Sequence, residues 1–241
     1  MFRFFSVLAF VFASCTGAFV AVSANDGDDE GDTPGSVAFP EELVRWTPAQ
    51  ANPVFAGTAL GTWDDRIRER GCILRHGGKY HLWYTGYRGN SRKKLGHAVS
   101  LDGLRWERDP DNPIFEESWT EDVHVVHQDG TFSMVAEGRG DRAHLLTSAD
   151  GLRWTDHGRL DLRSQTGVPI SPGPFGTPTL WFEGKTWYLF YERGDRGIWL
   201  AQSTDQKTWT NVQDEPVISC GPAAYDRHAV ALNQVIRYRG L

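Results

Sequence analysis

The stretch Leu101-Asp102-Gly103-Leu104-Arg105-Trp106 recurs as Ala149-Asp150-Gly151-Leu152-Arg153-Trp154 and as Thr204-Asp205-Gln206-Lys207-Thr208-Trp209. The copies lie about fifty residues apart, and the sequence between them is rich in strand-forming residues. Such a repeat indicates a propeller, because one small sheet cannot bury both of its faces and must stack on copies of itself. The repeat therefore predicts an all-β fold of radially stacked sheets.

Each copy of the repeat closes a block of four predicted strands. In the first block, the strands 70–74 and 80–86 flank Gly77-Gly78, a pair that is typical of a β-hairpin. A third strand over 95–100 leads to the repeated turn, and a fourth begins around Trp106. The next two blocks repeat this order, with predicted strands over 123–126, 132–136, 179–182, 187–191 and 198–203 and outer strands near Trp154 and Trp209.

The two ends of the sequence predict further parts of the ring. A fourth block begins at Tyr225-Asp226-Arg227-His228 and predicts a strand over 230–238, ahead of Gly240 and the last residue, Leu241. With only this beginning of a fourth block, the sequence predicts a truncated propeller. Its open edge would favour self-association.

Near the start, Arg45-Trp46 and Asn52-Pro53-Val54-Phe55 echo Arg105-Trp106 and Asn112-Pro113-Ile114-Phe115. This echo predicts an N-terminal outer strand that closes the ring on the last blade. Residues 37–241 are thus expected to form an incomplete five-bladed β-propeller. It would hold about three full blades, the start of a fourth and the N-terminal closing strand.

The first 36 residues have a different composition from the rest. Residues 1–24 are typical of an export signal, with Arg3, an apolar run over 4–13 and small residues up to Ala24, and an acidic linker follows over 25–36. We expect a secreted or periplasmic protein without membrane attachment after cleavage. Two alternatives stay open: Phe12-Ala13-Ser14-Cys15 as a poor lipoprotein signal, and residues 4–24 as an uncleaved anchor.

Charge and cysteine content exclude several classes of protein. The formal net charge of the 241 residues is −6, and the linker carries much of the acidic excess, so the rest is nearly neutral. A nearly neutral domain has no basic field that would attract nucleic acid. After the signal, only Cys72 and Cys220 remain. Their pairing would need an oxidising compartment, and Cys72, on an apolar strand, is expected in the core.

No cofactor or metal is expected from the motifs. His124 and His127 fall on opposite faces of a predicted strand, and no pair of histidines has helical ligand spacing. Neither a glycine-rich nucleotide-binding loop nor a nucleophilic serine motif is found in the sequence.

The first strand of each blade lines the axis of a propeller, and its leading end opens into the funnel where ligands bind. Alignment of the blocks on their hairpin turns places four polar pairs there: Glu69-Arg70, Glu121-Asp122, Gly176-Thr177 and Asn233-Gln234. Strand alternation puts Asp122 on the face opposite to Glu121, so only one of the two should face the axis.

The chain resembles the five-bladed glycoside hydrolases of families 43, 32, 68 and 117. The resemblance covers residues 41–241 and rests on Tyr80-His81-Leu82-Trp83-Tyr84-Thr85-Gly86, on Ser100-x-Asp102-Gly103-x-x-Trp106 and on Asn112-Pro113-Ile114-Phe115. It implies an Asp as base or nucleophile in the first blade, an Asp in the second blade that tunes the acid's pKa, and an acid Glu in the third. Asp122 matches the second of these.

The other two positions depart from the family's pattern. Arg70 stands where the first Asp is expected, with Glu69 beside it and Asp65 a few residues earlier, and Gly176 stands where the acid Glu is expected. Glu137 and Glu192 each follow a second strand, whose end returns to the leading end of the first strand in antiparallel geometry. They are therefore candidates for the missing acid, although a carboxylate beside arginines is often only a structural ion pair.

The sequence thus predicts a secreted glycoside hydrolase that cleaves a poly- or oligosaccharide by paired-carboxylate chemistry. The candidate catalytic residues are Asp65, Glu69, Asp122, Glu137 and Glu192, and the candidate substrate-binding residues are Trp63, Arg70, His124, Asp226 and His228. A glycoside phosphorylase is an alternative, with a cationic pocket formed by Arg66, Arg68, Arg70 and Arg227. A propeller that binds carbohydrate or protein without chemistry is another.

Overall fold

The computed structural model describes residues 45–68, 70–170 and 173–237, so the predicted signal, the linker and Glu69 lie outside the described residues. Within these ranges the chain forms strands and no helix, and hence no helix capable of crossing a membrane. The strands are β1 (Arg66–Ile67), β2 (Cys72–His76), β3 (Lys79–Tyr87), β4 (Lys94–Ser100), β5 (Glu107–Arg108), β6 (Glu121–Gln128), β7 (Thr131–Gly138), β8 (Arg142–Ser148), β9 (Thr155–Arg159), β10 (Asp161–Arg163), β11 (Gly176–Glu183), β12 (Thr186–Glu192), β13 (Gly197–Ser203), β14 (Thr208–Asn211) and β15 (Ile218–Ser219).

These strands form three antiparallel sheets in chain order. Blade one is β2-β3-β4-β5, blade two is β6-β7-β8-β9 and blade three is β11-β12-β13-β14. Three short strands extend them: β1 pairs with β3, β10 runs parallel to β14, and β15 pairs with β13. The predicted all-β fold, with three four-stranded blades, is confirmed.

The repeated stretch is a turn between the third and fourth strands that is held by its own side chains. In the first copy, Asp102 Oδ1 accepts hydrogen bonds from the backbone N–H groups of Leu104 at 2.9 Å and Arg105 at 2.8 Å. Trp106 Nε1 then donates to the carbonyl oxygen of Gly103 at 3.1 Å. The other two copies make the same bonds. The motif is therefore structural and carries no chemistry.

Each blade buries a face against the next blade in an interface that we call a seam. The first seam, between blades one and two, contains Trp83, which is fully buried and donates from Nε1 to the carbonyl oxygen of Gly151 at 2.8 Å. The second seam, between blades two and three, is built around Val135, Leu145 and Trp209. The innermost strands β2, β6 and β11 are neighbours and lie along one axis. This arrangement sets the position of the funnel.

The N-terminal closing strand predicted from the sequence is not formed. Residues 45–65 contain no strand, because no sheet edge supplies a hydrogen-bonding partner to them in the described chain. Phe55 instead packs on the outer face of blade one, with its ring centroid 4.9 Å from that of Tyr84 and the Arg108 guanidinium 4.4 Å above it. The echo between the two Asn-Pro segments thus reflects the packing of a phenylalanine.

The predicted first strand of the fourth block is also missing, since residues 220–237 contain no strand. Two side chains of this segment, Val230 and Leu232, are nevertheless buried against Phe190 and Ile198 of blade three. The segment therefore covers the outer face of blade three without joining its sheet. Cys72 lies in the first seam as expected, and neither it nor Cys220 is in a disulfide.

We expect Trp83→Phe to lower the free energy of unfolding by about 1–2 kcal/mol, because it removes the hydrogen bond across the first seam and part of a fully buried ring. Urea unfolding followed by fluorescence or circular dichroism measures the change. The matched control is Trp46→Phe, since Trp46 is 57% exposed, and its effect should be small. Equal losses in the two variants would contradict the role assigned to Trp83.

Candidate active site

Glu137 and Glu192 occupy equivalent places in blades two and three. The hairpin pairs Gln128–Thr131 and Glu183–Thr186 align the two blades, and both glutamates lie six residues along their second strands from that turn. Glu137 pairs with Glu121 of β6, and Glu192 pairs with Gly176 of β11. The register therefore brings both glutamates beside the leading ends of the first strands, as the sequence predicts.

The first strands of blades two and three are bulged at that end. The register shifts between Glu121 and His124 and between Gly176 and Thr179, and the bulges contain Asp122 with φ 49° and Thr177 with φ 41°. A bulge breaks the alternation of side chains and redirects the residue that it contains. The strict alternation from which Glu121 and Asp122 were predicted to lie on opposite faces is therefore interrupted at this point, and both residues are buried.

The two glutamates converge on Gly176. A methyl group added at Gly176 would lie 2.8 Å from Oε1 of Glu137 and 2.7 Å from Oε2 of Glu192. The two oxygens are thus no farther apart than the sum of these distances, which places them within reach of one sugar residue. The backbone N–H of Thr177 donates to Glu137 Oε1 at 2.5 Å, and that of Asp195 donates to Glu192 Oε1.

Burial changes the protonation of both glutamates. It raises the pKa of Glu137 to about 8, and the charge of Asp122 acts in the same direction against the hydrogen bond from Thr177. Burial likewise raises the pKa of Glu192 to about 7, with a contribution from Asp195. Between these values, one carboxyl group keeps its proton while the other has lost it. A protonated acid beside an ionised base is the arrangement that acid/base catalysis requires.

Arg70 places a buried positive charge in the same region. Only 5% of it is exposed, and its Nη2 crosses from blade one to β11, donating to the carbonyl oxygen of Pro178 at 3.0 Å and to Thr179 Oγ1 at 2.8 Å. Burial lowers the pKa of Arg70, and the charges of Asp122 and Glu137 oppose this. Its Nε and Nη1 have no hydrogen-bond partner among the described residues. The N–H groups of these two nitrogen atoms can donate hydrogen bonds to an anionic or hydroxyl oxygen of a ligand.

His124 lies buried between blades two and three. Its Nδ1 accepts a hydrogen bond from the backbone N–H of Leu180 at 3.3 Å. Burial, with the nearby Arg70, lowers the pKa of His124 to about 3, so the ring is neutral and its proton is on Nε2. Within this region His124 can donate a hydrogen bond, but it is not a cation at neutral pH.

Glu121 is held as an ion pair. Its Oε2 lies 3.2 Å from Nε of Arg68, and its Oε1 accepts a hydrogen bond from Trp119 Nε1 at 2.6 Å. Oε1 is thus hydrogen-bonded, whereas Oε2 makes the ion pair without a hydrogen bond from any described residue.

Two further predicted residues, Trp63 and Asp65, do not join this group. Trp63 stacks on Tyr84 with ring centroids 5.8 Å apart, on the outer face of blade one. Asp65 lies in the preceding loop, where its Oδ1 accepts a hydrogen bond from the N–H of Gly61 at 2.8 Å. Glu69 is outside the described residues.

Asp226 and His228 lie in the segment that follows β15. His228 is exposed and accepts a hydrogen bond from Arg227 Nε at 3.0 Å. The same segment contacts blade three where Cys220 Sγ donates to the carbonyl oxygen of Asp195 at 3.4 Å. Since Asp195 also binds Glu192, this segment borders the site on the side of blade three.

Two residues of the site, Asp141 and Asp195, were missed from the sequence, and Thr177 was placed at the funnel without a role. Thr177 supplies an N–H to Glu137, and Asp141 and Asp195 lie in the turns after β7 and β12, where their charges raise the pKa of the glutamates. A signal for the aspartates exists: Glu137-Gly138-Arg139-Gly140-Asp141 and Glu192-Arg193-Gly194-Asp195 both place a Gly-Asp turn after the glutamate. In the described part of the chain, no group of three or more His, Cys, Asp or Glu residues could hold a metal ion.

Comparison with known proteins supports the fold. No family model matches the chain. The 1,2-beta-oligomannan phosphorylase of Thermoanaerobacter sp. (strain X514) is 24% identical over 209 residues, which cover 79% of this chain and 67% of that protein. An uncharacterized protein of Mycobacterium tuberculosis (strain CDC 1551 / Oshkosh) is 25% identical over 223 residues, 79% of this chain and 70% of that protein.

Solved structures show the same architecture. A glycosyl hydrolase from Bacteroides ovatus matches with a TM-score of 0.54 and 19% identity over 75% of this chain and 62% of its own. The GH43_1 enzyme from Xanthomonas citri matches with a TM-score of 0.52 and 16% identity over 63% of this chain and 56% of its own. The chain thus spans less than two thirds of the length of these structures. Its fold is that of the propeller glycoside hydrolases.

We expect the stability of Glu137→Gln relative to the natural protein to rise with pH. The pKa of the Glu137 carboxyl group is about 8 in the folded chain and 4.5 in the unfolded chain. As pH rises between these values, the carboxyl group ionises in the unfolded chain only, which lowers the stability of the natural protein. The glutamine variant has no such group and is not affected. The difference should grow by up to about 1.4 kcal/mol per pH unit in urea unfolding at pH 5 to 8.

The control is Glu107→Gln on β5, where the side chain is exposed. Its stability relative to the natural protein should not vary with pH. A Glu137→Gln difference that is equally flat would show that Glu137 ionises normally in the folded chain.

Proposed function

We propose that this chain belongs to an enzyme that cleaves glycosidic bonds in a poly- or oligosaccharide by hydrolysis, at the group formed by Asp122, Glu137 and Glu192. The observation that carries the proposal is the convergence of Glu137 and Glu192 on Gly176, with burial holding their pKa values near neutrality. The fold shared with glycoside hydrolases supports it. The export signal that the sequence predicts over 1–24 supports the further proposal that the enzyme acts outside the cytoplasm.

In this proposal Glu137 is the general acid. Cleavage needs a proton on the leaving glycosidic oxygen, and Glu137 is protonated below about pH 8 because burial and the charge of Asp122 raise its pKa. Asp122 acts through Glu137 and is a positioning residue in this step, which agrees with the role that the family resemblance implies for it.

Glu192 is the nucleophile. Its pKa of about 7 leaves it ionised just above neutrality, and its Oε2 is no farther from Glu137 Oε1 than the roughly 5–5.5 Å that is typical of an acid and a nucleophile. The Glu192 carboxylate bonds to the anomeric carbon, the glycosidic bond breaks, and the leaving oxygen receives the proton of Glu137. Water then attacks the glycosyl ester and gives a proton to Glu137, which frees the sugar and returns both carboxyl groups to their starting state.

Carbohydrate is the proposed substrate class. The GH43_1 enzyme from Xanthomonas citri was crystallised with xylose and with xylotriose, which supports a sugar ligand in the corresponding funnel of this chain. Arg70 and His124 add N–H donors beside the carboxyl groups, and sugar hydroxyls accept such bonds.

We expect the activity to be bell-shaped in pH, with limbs near about 7 and 8, because the acid Glu137 must be protonated while the nucleophile Glu192 is ionised. Glu137→Gln and Glu192→Gln should each reduce turnover by about 10²–10⁴-fold. Reducing-sugar release from a panel of plant and algal polysaccharides and oligosaccharides measures this.

Asp122→Asn is the informative third variant, since Asn tolerates the positive φ at this position. Loss of the Asp122 charge should lower the pKa of Glu137 and move the alkaline limb to lower pH, an effect that a purely structural role would not produce. Glu107→Gln is the control and should keep full activity. Full activity of Glu137→Gln would overturn the proposal.

Phosphorolysis is the second candidate, and Arg70 favours it. Its Nε and Nη1 are buried without a partner among the described residues, and phosphate oxygens bind arginine N–H groups strongly. A phosphate oxygen would bond to the anomeric carbon as the glycosidic bond breaks, and Glu137 would protonate the leaving oxygen. Phosphate is already anionic, so no base is needed. The relative from Thermoanaerobacter is named as a phosphorylase.

Phosphate dependence separates the two candidates. Turnover is measured with and without about 10 mM inorganic phosphate, a concentration above the KM values that most enzymes have for their substrates. Hydrolysis predicts free sugar at the same rate in both, whereas phosphorolysis predicts sugar 1-phosphate only when phosphate is present. Arg70→Lys should then raise the KM for phosphate more than it lowers kcat. The melting temperature of this variant checks that it is folded. Oligosaccharide binding without any product would favour a propeller that only binds sugar.

A further inference from the structure

A second cavity lies far out along the blades, at the second seam. It has a volume of about 400 Å³ and is bounded by β8 and β9 of blade two and by the repeated turn of blade three. Leu145 and Leu160 form a buried apolar floor. We call this cavity the outer cleft, and none of its lining residues belongs to the group around Gly176. Its size suits a small ligand.

The outer cleft exists because two seams of the same design are filled differently. Trp83 of β3 and Val135 of β7 stand at equivalent register positions, four residues past their hairpin turns. Trp83 fills the first seam and bonds to Gly151 of the next blade's turn. Val135 is too short to reach the corresponding turn of blade three, so the second seam stays open there.

An irregular outer strand widens the opening. The register of β8 and β9 shifts between His144 and Leu146, which pair with Arg159 and Asp156, and this leaves two residues, His157 and Gly158, opposite the single residue Leu145. The outer strands of blades one and three pair with their neighbours without such a shift. The one extra residue is thus particular to the blade that forms the outer cleft.

The turn of blade three places the side chain of Gln206 in the wall of the cleft. Gln206 has φ 59° at the place where the other two copies have Gly103 and Gly151 with φ 75°. Its backbone repeats their hydrogen bonds, but its side chain lines the cleft. Oε1 of Gln206 is buried and has no hydrogen-bond partner among the described residues. A buried acceptor without a partner is unfavourable, and a ligand hydroxyl would offset this cost once the Gln206 side chain turns toward the ligand.

The charged groups at the rim favour an anion. Arg159 and Lys207 line the cleft, and neither has a carboxylate within salt-bridge distance in the described part of the chain. Asp205 is also at the rim, and its Oδ1 is occupied by Ser203 Oγ and by the N–H groups of Lys207 and Thr208. The rim therefore carries one net positive charge. Thr147 and His157 also line the cleft, and their Oγ1 and Nε2 atoms are 2.7 Å apart.

We propose that the outer cleft is a second, non-catalytic binding site for an acidic sugar residue. The apolar floor fits the C–H face of a pyranose ring, the Gln206 acceptor fits a hydroxyl group, and Arg159 and Lys207 fit a carboxylate or sulfate. Such a site would hold a charged polysaccharide at a distance from the funnel. The proposal does not depend on the reaction proposed for the funnel.

The test is the binding of D-glucuronate and of D-glucose, as charged and neutral probes of the same ring size, to the full chain by saturation-transfer NMR and calorimetry. We expect glucuronate to bind with a Kd of about 1 mM and glucose about 10-fold more weakly. Arg159→Gln should weaken the binding of glucuronate at least about 5-fold and leave the binding of glucose unchanged. Gln206→Gly introduces the residue that the other two copies have at this place, and it should weaken the binding of both probes.

Two controls locate the binding. Lys185→Gln removes an exposed cation in the hairpin turn of blade three and should not change either affinity. The doubly substituted Asp122→Asn/Glu137→Gln chain changes the funnel and should bind glucuronate as before. Loss of glucuronate binding in that chain, equal affinity for the two sugars, or no binding at about 50 mM would each overturn the proposal. Melting temperatures confirm that every variant is folded.

Discussion

The structure depends on the burial of sheet faces in the seams. A four-stranded sheet with apolar side chains on both faces is not stable in water by itself, and each blade here gains its stability from the next. Trp83 fills the first seam and Trp209 lies in the second, both fully buried. Because the blades pack face to face, their first strands meet along one axis. The leading ends of β6 and β11, and with them the carboxyl groups, are brought together by this packing.

The same packing makes the site dry, and this determines its chemistry. An ionised carboxylate loses hydration when it is buried, so the protonated form is favoured unless hydrogen bonds or cations compensate. Glu121 makes an ion pair with Arg68 and accepts a hydrogen bond from Trp119. Glu137 receives one hydrogen bond from Thr177 and lies near the charge of Asp122, and the balance raises its pKa. Similar residues at adjacent positions thus take different roles because their neighbours differ.

Local features could be predicted from the sequence, and long-range ones could not. The Asp-Gly-x-x-Trp turns and the hairpins are held by bonds within a few residues, so the sequence shows them directly. The positions of Glu137 and Glu192 followed from hairpin alignment for the same reason. The reach of Arg70 to Pro178 joins residues 108 positions apart, and no local pattern encodes it. The bulge at Asp122 and the packing of Phe55 on blade one likewise depend on neighbours that are distant in sequence.

Two departures from the family's pattern are connected through the space beside residue 176. The sequence has Gly176 where an acid glutamate was expected, and it has glutamates at the ends of two second strands. The space that a side chain at 176 would fill already contains oxygens of Glu137 and Glu192, at distances shorter than a carbon atom tolerates. A glutamate at 176 would therefore require both carboxyl groups to move from these positions. In the proposed reaction the acid comes from a second strand and not from the first strand of blade three, and the glycine leaves the space that this arrangement needs.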